Sequence, residues 1–320
     1  YIPSEIILFG ATLTLEGTVG IDFHFEPFPE SFSEDELDSM EVAITHKGKT
    51  EYTKLSEPRT YSAESRPMYT IFVPVKELCD DLTIQVLKNR EEIVPVRIGS
   101  TEGNIISEEG YHYSGLTYIE HMRKSEPEGS SLLDFLNALY NFSKASRIAF
   151  EYEDEGIEVD QSDELSVVDA EALVSYNMTK SGNLPEGLVH YGATLTLKSE
   201  TSVNHYFKLD EGYDISSYRF EIKSCNTNEV YKEVDSDDIR YDGTYYIIDI
   251  GNIRASKLDQ ECLIKVTSRA DENPASPYVM SYNPLTYAYR KLANTETEKT
   301  ISDLVKTMYL YNVKAGEYFN

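Results

Sequence analysis

Apolar and polar residues alternate one by one along several short stretches of the chain. In Val19–Phe25, for example, every second side chain is apolar, which is typical of a β-strand with one buried face. The other stretches of this first series are Ala11–Leu15, Met40–Thr45, Glu51–Leu55, Tyr69–Val75, Leu82–Leu87 and Ile93–Ile98. A second series comprises Leu195–Leu197, Val203–Leu209, Tyr218–Lys223, Glu229–Val234, Tyr245–Ile250, Glu261–Thr267 and Tyr278–Tyr282. Short strands at this spacing predict antiparallel β-sandwiches.

The period changes to that of a helix after each series. Apolar residues recur along one helix face at Leu132, Phe135, Leu136, Leu139 and Phe142, and again at Ile301, Leu304, Val305, Met308 and Tyr311. Ser130 or Ser131 precedes the first of these stripes as an N-cap. We expect each helix to pack on its own sheets, with an interface between the two halves as the alternative. Shorter helices are predicted over Leu116–Arg123, Val167–Tyr176 and Leu285–Leu292.

The chain contains one motif twice. Gly10–Leu15, read Gly-Ala-Thr-Leu-Thr-Leu, returns unchanged as Gly192–Leu197, and Leu116–Tyr118 returns as Leu285–Tyr287. The spacing between the two copies is longer for the first pair of motifs than for the second. Collinear matches at both ends of both segments indicate a duplicated unit.

The duplication defines the predicted architecture, which is mainly β. It consists of two tandem antiparallel, Ig-like β-sandwich modules at 1–150 and 188–320, each closed by a C-terminal helical segment, with an acidic linker at 151–187. The difference between the two spacings gives the first copy 13 extra residues. We expect these in the loops around Glu30–Asp38 and Glu57–Arg66, because loops tolerate insertion best.

Acidic residues dominate the charged positions. The formal net charge is −27, and residues 151–187 hold 11 acidic side chains against one basic. Such a surface repels phosphate backbones and anionic lipids, so nucleic-acid and membrane partners are not expected. Membrane insertion is also disfavoured because no apolar run approaches the ~18–20 residues of a spanning helix.

The three cysteines, Cys79, Cys225 and Cys262, have no metal-ligand spacing. Cys225 and Cys262 can pair if their strands are neighbours, but buried free thiols are the favoured interpretation. The six histidines form no recognisable ligand pair. No metal or cofactor is therefore predicted from these residues.

One stretch of the sequence has a composition compatible with a calcium site. Asp235–Gly243 holds four carboxylates before a glycine, although the spacing of an EF-hand is absent. A solvated hairpin turn is the favoured interpretation, with a Ca²⁺ site as the alternative.

Tyrosine is abundant, at 25 residues against no tryptophan. Its ring and hydroxyl suit both sugar stacking and protein interfaces. The candidate ligand-binding residues are Tyr241, Tyr245, Tyr278 and Tyr282, which lie in two clusters near predicted turns. Tyrosine is also a favoured strand residue, so a structural role competes with this interpretation. No catalytic constellation is evident, and an enzyme is not predicted.

Several segments together resemble a known family. They are the two Gly-Ala-Thr-Leu-Thr-Leu motifs and the stretches 132–150, 181–187, 199–209, 212–216 and 304–311. The pattern is similar to a tandem module of large secreted and cell-surface proteins of anaerobic Gram-positive gut bacteria. The resemblance implies an exported, non-catalytic module beside other domains, sometimes in cellulosome-type, fibre-degrading systems that assemble through dockerins.

The expected function is that of a structural or interaction module in a secreted or cell-surface protein. It would hold other domains away from the cell wall or bind a partner in a bacterial surface assembly. The alternative is a carbohydrate-binding accessory module that uses exposed tyrosines to bind polysaccharide.

Overall fold

The computed structural model describes residues 6–15, 18–27, 32–63, 66–99, 104–105, 109–152, 156–197, 200–226, 231–271 and 276–319. Packing divides the chain into two units. The first comprises Tyr1–Leu15, Val19–Val73 and Glu77–Glu128, and the second comprises Glu16–Thr18, Pro74–Lys76 and Gly129–Asn320. The protein is mainly β and contains several antiparallel sheets, as the alternation pattern predicts. No helix in the described residues is long and apolar enough to cross a membrane.

The described part of the first unit contains two sheets. Its strands are β1 (Ile6–Thr14), β2 (Val19–Pro27), β3 (Met40–His46), β4 (Lys49–Lys54), β5 (Thr60–Tyr61), β6 (Pro67–Val73), β7 (Leu82–Lys88), β8 (Glu92–Val94), β9 (Val96–Ile98) and β10 (Tyr111–Tyr113). Its helices are α1 (Glu34–Asp38) and α2 (Gly115–Ser125). One sheet has the order β5-β6-β2-β1-β9 and the other β10-β7-β3-β4, with β8 beside β7. β9 runs parallel to β1, and the other pairs are antiparallel.

The second unit contains both further sheets and the long helices. Its helices are α3 (Ser131–Ala149), α4 (Asp163–Ser166), α5 (Pro284–Leu292) and α6 (Lys299–Phe319). Its strands are β11 (Thr179–Ser181), β12 (Leu188–Leu197), β13 (Thr201–Leu209), β14 (Tyr218–Lys223), β15 (Lys232–Glu233), β16 (Arg240–Tyr241), β17 (Tyr246–Ile250), β18 (Leu263–Ser268) and β19 (Tyr278–Ser281). The sheet orders are β12-β13-β17-β16 and β11-β19-β18-β14-β15. They repeat the strand orders of the first unit, apart from β8 and β9 in the first unit and β11 in the second, which have no counterpart among the described strands.

The repeated motif lies in β1 and β12, and each strand contains a bulge just before or at its glycine. The register shifts between Leu8 and Gly10 in one strand and between His190 and Gly192 in the other. Gly10 has a φ of +156°, which glycine adopts readily because it has no Cβ. Both strands begin several residues before the predicted stretches. The part of β1 before its bulge, Ile6–Phe9, is an unbroken apolar run, and in β12 the extra residue of the bulge moves the apolar positions out of phase.

The extra residues of the first copy lie mainly between β7 and β10 rather than in the two predicted loops. Leu82 pairs with Tyr113 in the first unit, whereas the equivalent bond in the second unit joins Tyr282 to Cys262. The stretch of chain between the paired positions is longer in the first unit, and this interval accounts for most of the extra residues. It includes β8 and β9, so the insertion builds strands, one of which extends the sheet beside β1.

The helices α3 and α6 bury the predicted apolar stripes except for the first residue of each stripe, Leu132 and Ile301, which are half-buried. They pack against each other within the second unit, whereas the pattern alone favoured a separate packing for each. Phe142 stacks on Tyr311 at 5.4 Å between ring centroids, and Phe135 stacks on Tyr318 at 5.5 Å. The start of one helix thus meets the end of the other, and the two run antiparallel. Phe142 and Tyr311 follow the repeated Leu-Thr-Tyr motif at the same distance, so they occupy the same position in the two copies.

A side chain of each helix also donates a hydrogen bond to a backbone carbonyl, and the two side chains occupy equivalent positions in the two copies. The Ser143 hydroxyl donates to the Val75 carbonyl at 2.7 Å, and the Asn312 amide donates to the Ala255 carbonyl at 2.7 Å. Ser143 and Asn312 again follow the repeated Leu-Thr-Tyr motif at the same distance. The duplication therefore preserves an anchoring contact as well as the strand order.

The acid-rich segment predicted as a linker is packed rather than open. Leu165, Val168 and Leu173 are buried, and α4 begins within it. The predicted helix over Val167–Tyr176 is wrong, since only Val174–Tyr176 is helical there, as a 3₁₀ turn. Asp169 accepts a hydrogen bond from the Ala172 amide at 2.9 Å, but the chain directly after it forms turns and no α-helix.

Two of the three cysteines are joined in a disulfide, Cys225–Cys262, with Cα atoms 4.7 Å apart. The expectation of free thiols is therefore wrong for this pair, whereas Cys79 remains a thiol. The strand register is the cause, because Lys223 lies opposite Leu263 and the chain beyond β14 brings Cys225 beside Cys262.

Candidate functional site

Tyr278 and Tyr282, two of the four candidate tyrosines, lie in the core of the second unit. Their exposed fractions are 5% and 1%, and burial raises the pKa of each to about 12. The Tyr278 hydroxyl contacts Nδ1 of His190 at 3.1 Å. Neither ring can stack on a ligand from solvent, so we remove both from the candidate site. The alternation that predicted β19 does not say which face its tyrosines occupy.

The other two candidates, Tyr241 and Tyr245, are accessible but lie on opposite faces of one sheet. Tyr241 is 59% exposed and packs on Tyr246, with ring centroids 4.7 Å apart. Tyr246 lies opposite Phe207, which faces the core, so Tyr241 borders the core side of the edge strand. Tyr245 precedes Tyr246 and points to the other face, where it meets Tyr191. The structure does not bring the predicted pair together.

Tyr245 belongs instead to a cluster with Tyr191 and Tyr206, which we call the tyrosine surface. The Tyr191 and Tyr245 ring centroids are 4.8 Å apart, and those of Tyr206 and Tyr245 are 5.8 Å apart. The Lys208 ammonium lies 4.8 Å from the centre of the Tyr245 ring and 5.4 Å from that of Tyr191. Tyr191 is 65% exposed. A hydrogen bond with Tyr191 raises the pKa of the Tyr245 hydroxyl.

Local backbone features hold the tyrosine surface in place. Tyr191 is the extra residue of the bulge before Gly192, and Gly192 lies opposite Tyr206 on the neighbouring strand. The Asp242 carboxylate accepts hydrogen bonds from the Thr244 and Tyr245 amides at 2.9 and 2.7 Å. These amides hold the pKa of Asp242 below its usual range. The motif and a capped turn together fix where the rings stand.

Sequence reasoning missed Tyr191 and Tyr206 because it grouped tyrosines that are close along the chain. A usable signal was present, since Tyr191 directly precedes the repeated Gly192 motif and Tyr206 lies on the next predicted strand. Placing them together requires the hairpin register, which the bulge shifts by one residue.

The chemistry of the tyrosine surface is that of contact rather than reaction. Its rings meet at interplanar angles of 43° and 90°, so they form a faceted patch and not a flat platform. The Thr194 hydroxyl donates to the Tyr206 hydroxyl at 3.3 Å, and Lys208 adds a positive charge. Apolar ring faces beside hydroxyls suit a protein surface or a sugar.

The first unit carries a different site at the same place in the repeat. Phe9 and His24 replace Tyr191 and Tyr206, and the Thr12 hydroxyl contacts Nε2 of His24 at 2.9 Å. The Arg66 guanidinium lies 4.1 Å from the centre of the Phe9 ring. These side chains line a cleft of ≈ 500 Å³ that also includes Tyr111. No carboxylate is present among the described residues that line it.

Metal-ligating side chains converge away from the stretch that suggested calcium. Ser236–Asp238 forms a 3₁₀ turn, and its carboxylates join no group of three ligating side chains in the described part of the chain. The group that the described residues do contain is His46, Glu77 and Asp80 in the first unit. The Ca²⁺ alternative therefore gains no structural support at Asp235.

Neither a protein-family model nor a curated protein matches this chain.

Proposed function

We propose that the chain is a non-catalytic structural and interaction module of an exported bacterial surface protein. In this proposal the two sheets of each unit form an Ig-like β-sandwich. The alternate burial of strand residues supports it, because Tyr69, Ile71 and Val73 of β6 are buried while the residues between them are half-buried, and β7 shows the same alternation. The partners would be other domains or proteins of a surface assembly.

The antiparallel pair of α3 and α6 is the observation that carries the structural role. The helix of the first copy packs into the unit that contains the second copy, through Phe135, Phe142 and Tyr311. Large aromatic side chains are thus used to join repeated elements. This joining of the repeated helices by buried aromatic side chains supports a structural role.

Two properties support an exported location and a protein or glycan partner. The Cys225–Cys262 disulfide suits an oxidising compartment, because cytosolic reductants keep most thiols reduced. A net charge of −27 disfavours nucleic acid and anionic lipid as partners.

Carbohydrate binding is the second candidate, and the tyrosine surface favours it. Tyr191, Tyr206 and Tyr245 expose aromatic rings and hydroxyls on one face. Their angles argue against a flat sugar platform, and the candidates Tyr278 and Tyr282 are buried. We therefore rank this role below that of a spacer or protein-binding module.

Affinity electrophoresis against soluble plant and host polysaccharides tests the ranking. We expect no retardation of the wild-type chain by any glycan, with or without Ca²⁺. Retardation that disappears in Tyr191→Ala and Tyr245→Ala would establish the carbohydrate role instead. Tyr61→Ala is the matched control, because Tyr61 is 58% exposed but lies in the first unit. Retardation that survives both tyrosine-surface variants would place a glycan site elsewhere, and would also contradict the ranking.

A further inference from the structure

One corner of the first unit brings three potential metal ligands together. His46 is the last residue of β3, and the following turn passes through Lys47 and Gly48, both at positive φ. Glu77 and Asp80 precede β7, whose first residue, Leu82, lies opposite His46. Strand pairing therefore positions the imidazole against the two carboxylates.

The distances within this corner fit a small divalent cation. Nε2 of His46 lies 3.3 Å from an Asp80 oxygen and 3.8 Å from a Glu77 oxygen. One ligand atom from each residue lies within 4.8 Å of the others. Bonds of about 2.1 Å in a tetrahedral zinc site put neighbouring ligands roughly 3.4 Å apart. The three side chains are 13–15% exposed, so the corner is sheltered and still reachable.

We propose that His46, Glu77 and Asp80 bind a divalent transition-metal ion of the zinc type, with the remaining coordination left to water. One imidazole nitrogen with two carboxylates suits Zn²⁺. Ca²⁺ prefers oxygen ligands throughout, so the histidine disfavours it. This site is independent of the function proposed above.

The Lys47 ammonium competes with a metal ion for the carboxylates of this site. Its ammonium lies 3.1 Å from Glu77 and 3.6 Å from Asp80, so it neutralises the same carboxylates that the metal would bind. The Lys47 side chain is 43% exposed and lies on a turn, which leaves it room to swing into solvent. Metal binding and the lysine contact therefore oppose each other.

The equivalent corner of the second unit gives the site a structural purpose. Cys262 corresponds to Leu82. Leu82 pairs with Tyr113 in the first unit, and Cys262 accepts the equivalent backbone hydrogen bond from Tyr282 in the second unit. The disulfide from Cys225 to Cys262 thus ties the turn after β14 to the start of β18. A metal held by His46, from β3, and by Asp80, before β7, would cross-link the same two strands of the first unit.

Isothermal titration of the full chain with ZnCl₂, paired with thermal unfolding, tests the proposal. We expect saturable binding of one Zn²⁺ and a rise in the first unit's Tm that CaCl₂ does not reproduce. His46→Ala and Glu77→Gln should each weaken Zn²⁺ binding by about 100-fold. Loss of a residue that only hydrogen-bonds to a metal ligand already weakens metal binding by about 10- to 100-fold, and loss of a ligand should cost at least as much. Lys47→Met should strengthen binding by about fivefold, the effect of losing one exposed charge contact.

His112→Ala is the matched control. His112 contacts one carboxylate, that of Asp81 at 2.6 Å, and both side chains are more than half exposed. This variant should bind Zn²⁺ as the wild type does. The proposal is overturned if the wild type does not bind Zn²⁺, or if binding is unchanged in His46→Ala or in Glu77→Gln. Circular dichroism of each variant separates loss of the site from loss of the fold.

Discussion

The two copies of the repeat share eight strands in the same order and secure the same corner with different chemistry. In the second unit the corner is closed by the Cys225–Cys262 disulfide. In the first unit it is closed by the ionic contact of Lys47 with Glu77 and by the contact of His46 with Asp80. Strand register fixes which positions meet, and the residue types at those positions then decide whether a covalent or an ionic contact forms.

The cores differ in the same way at two matched positions. Leu8 and Phe23 of the first unit correspond to His190 and His205 of the second, and Leu8, Phe23 and His205 have no exposed surface. The imidazole rings lie 5.5 Å apart between centroids. Burial lowers the pKa of His190 to about 4 and that of His205 to about 3. A purely apolar pair and a neutral histidine pair thus fill equivalent places, with different responses to acid.

The largest loss of stability is expected from the contact between Phe142 of α3 and Tyr311 of α6, which occupy equivalent positions in the two copies. Tyr311→Ala should lower the stability of the second unit by about 3–5 kcal/mol, because it leaves a cavity beside Phe142 in the helix pair. Phe142→Ala should cost a similar amount. Denaturant unfolding measures both. Phe150→Ala, at a half-exposed helix end, is the control and should cost far less. A Tyr311 variant as stable as this control would contradict the observed packing.

Removal of the disulfide comes next. Cys225→Ala with Cys262→Ala should lower the stability of the second unit by about 2–4 kcal/mol, since the unfolded chain gains the freedom of a loop across a separation of 37 residues. Reduction of the wild type should have the same effect. Cys79→Ala, which breaks no disulfide, should respond to reductant as the wild type does. A double cysteine variant that is still destabilised by reductant, or that is as stable as the oxidised wild type, would show that the two corners do not differ as described.

Acid should destabilise the core of the second unit more than that of the first, because the second contains the buried histidine pair where the first has Leu8 and Phe23. The pKa values of His190 and His205 are depressed in the folded state, so below about pH 6.5 the unfolded state binds more protons than the folded state. The stability from this pair is therefore complete above pH 6.5 and is lost as the pH falls toward 4. We expect the second unit to lose about 2–4 kcal/mol between pH 7 and 5 from this source.

Exchanging the core residues isolates that contribution. His190→Leu with His205→Phe gives the second unit the side chains that stand at Leu8 and Phe23. Carboxylates titrate in both proteins, so the difference between their pH profiles reports the histidines. A profile that is unchanged by the exchange would contradict the assigned pKa shifts.

The smallest effect concerns the two matched anchoring bonds. Ser143→Ala and Asn312→Ala should each cost about 1–2 kcal/mol, because the Val75 and Ala255 carbonyls lose a donor. Thermal unfolding measures both. Ser131→Ala, at the exposed first position of α3, serves as a control for changing a polar helix residue. Costs below that control would show that the two bonds do not anchor the helices.

The sequence alone predicts those features that depend on local periodicity. Strands such as β2 and β13 are recognisable because alternation persists through them, and α6 is recognisable from one apolar stripe. The early halves of β1 and β12 escape prediction, since the first is an unbroken apolar run and the bulge of the second interrupts the alternation. An apolar stripe also does not identify its partner, and so the pairing of α3 with α6 could not be foreseen.

The candidate site depends more heavily on register than the fold does. Tyr278 and Tyr282 are strand tyrosines whose burial is decided by the face they occupy, and sequence spacing gives no sign of that face. Tyr191 and Tyr245 meet across a sheet although they are far apart along the chain. The disulfide was missed for the same reason, because its two cysteines become neighbours only once β14 is paired with β18.

Hydrogen exchange of the amides of α3 tests most directly whether the helix of the first copy belongs to the second unit. The measurement compares the wild type with the chain lacking the Cys225–Cys262 disulfide, which weakens the second unit. We predict that α3 and α6 lose protection together, while β3 of the first unit keeps its protection. If α3 stayed as protected as β3 while α6 alone exchanged faster, the shared helix pair, and the structural role that rests on it, would be contradicted.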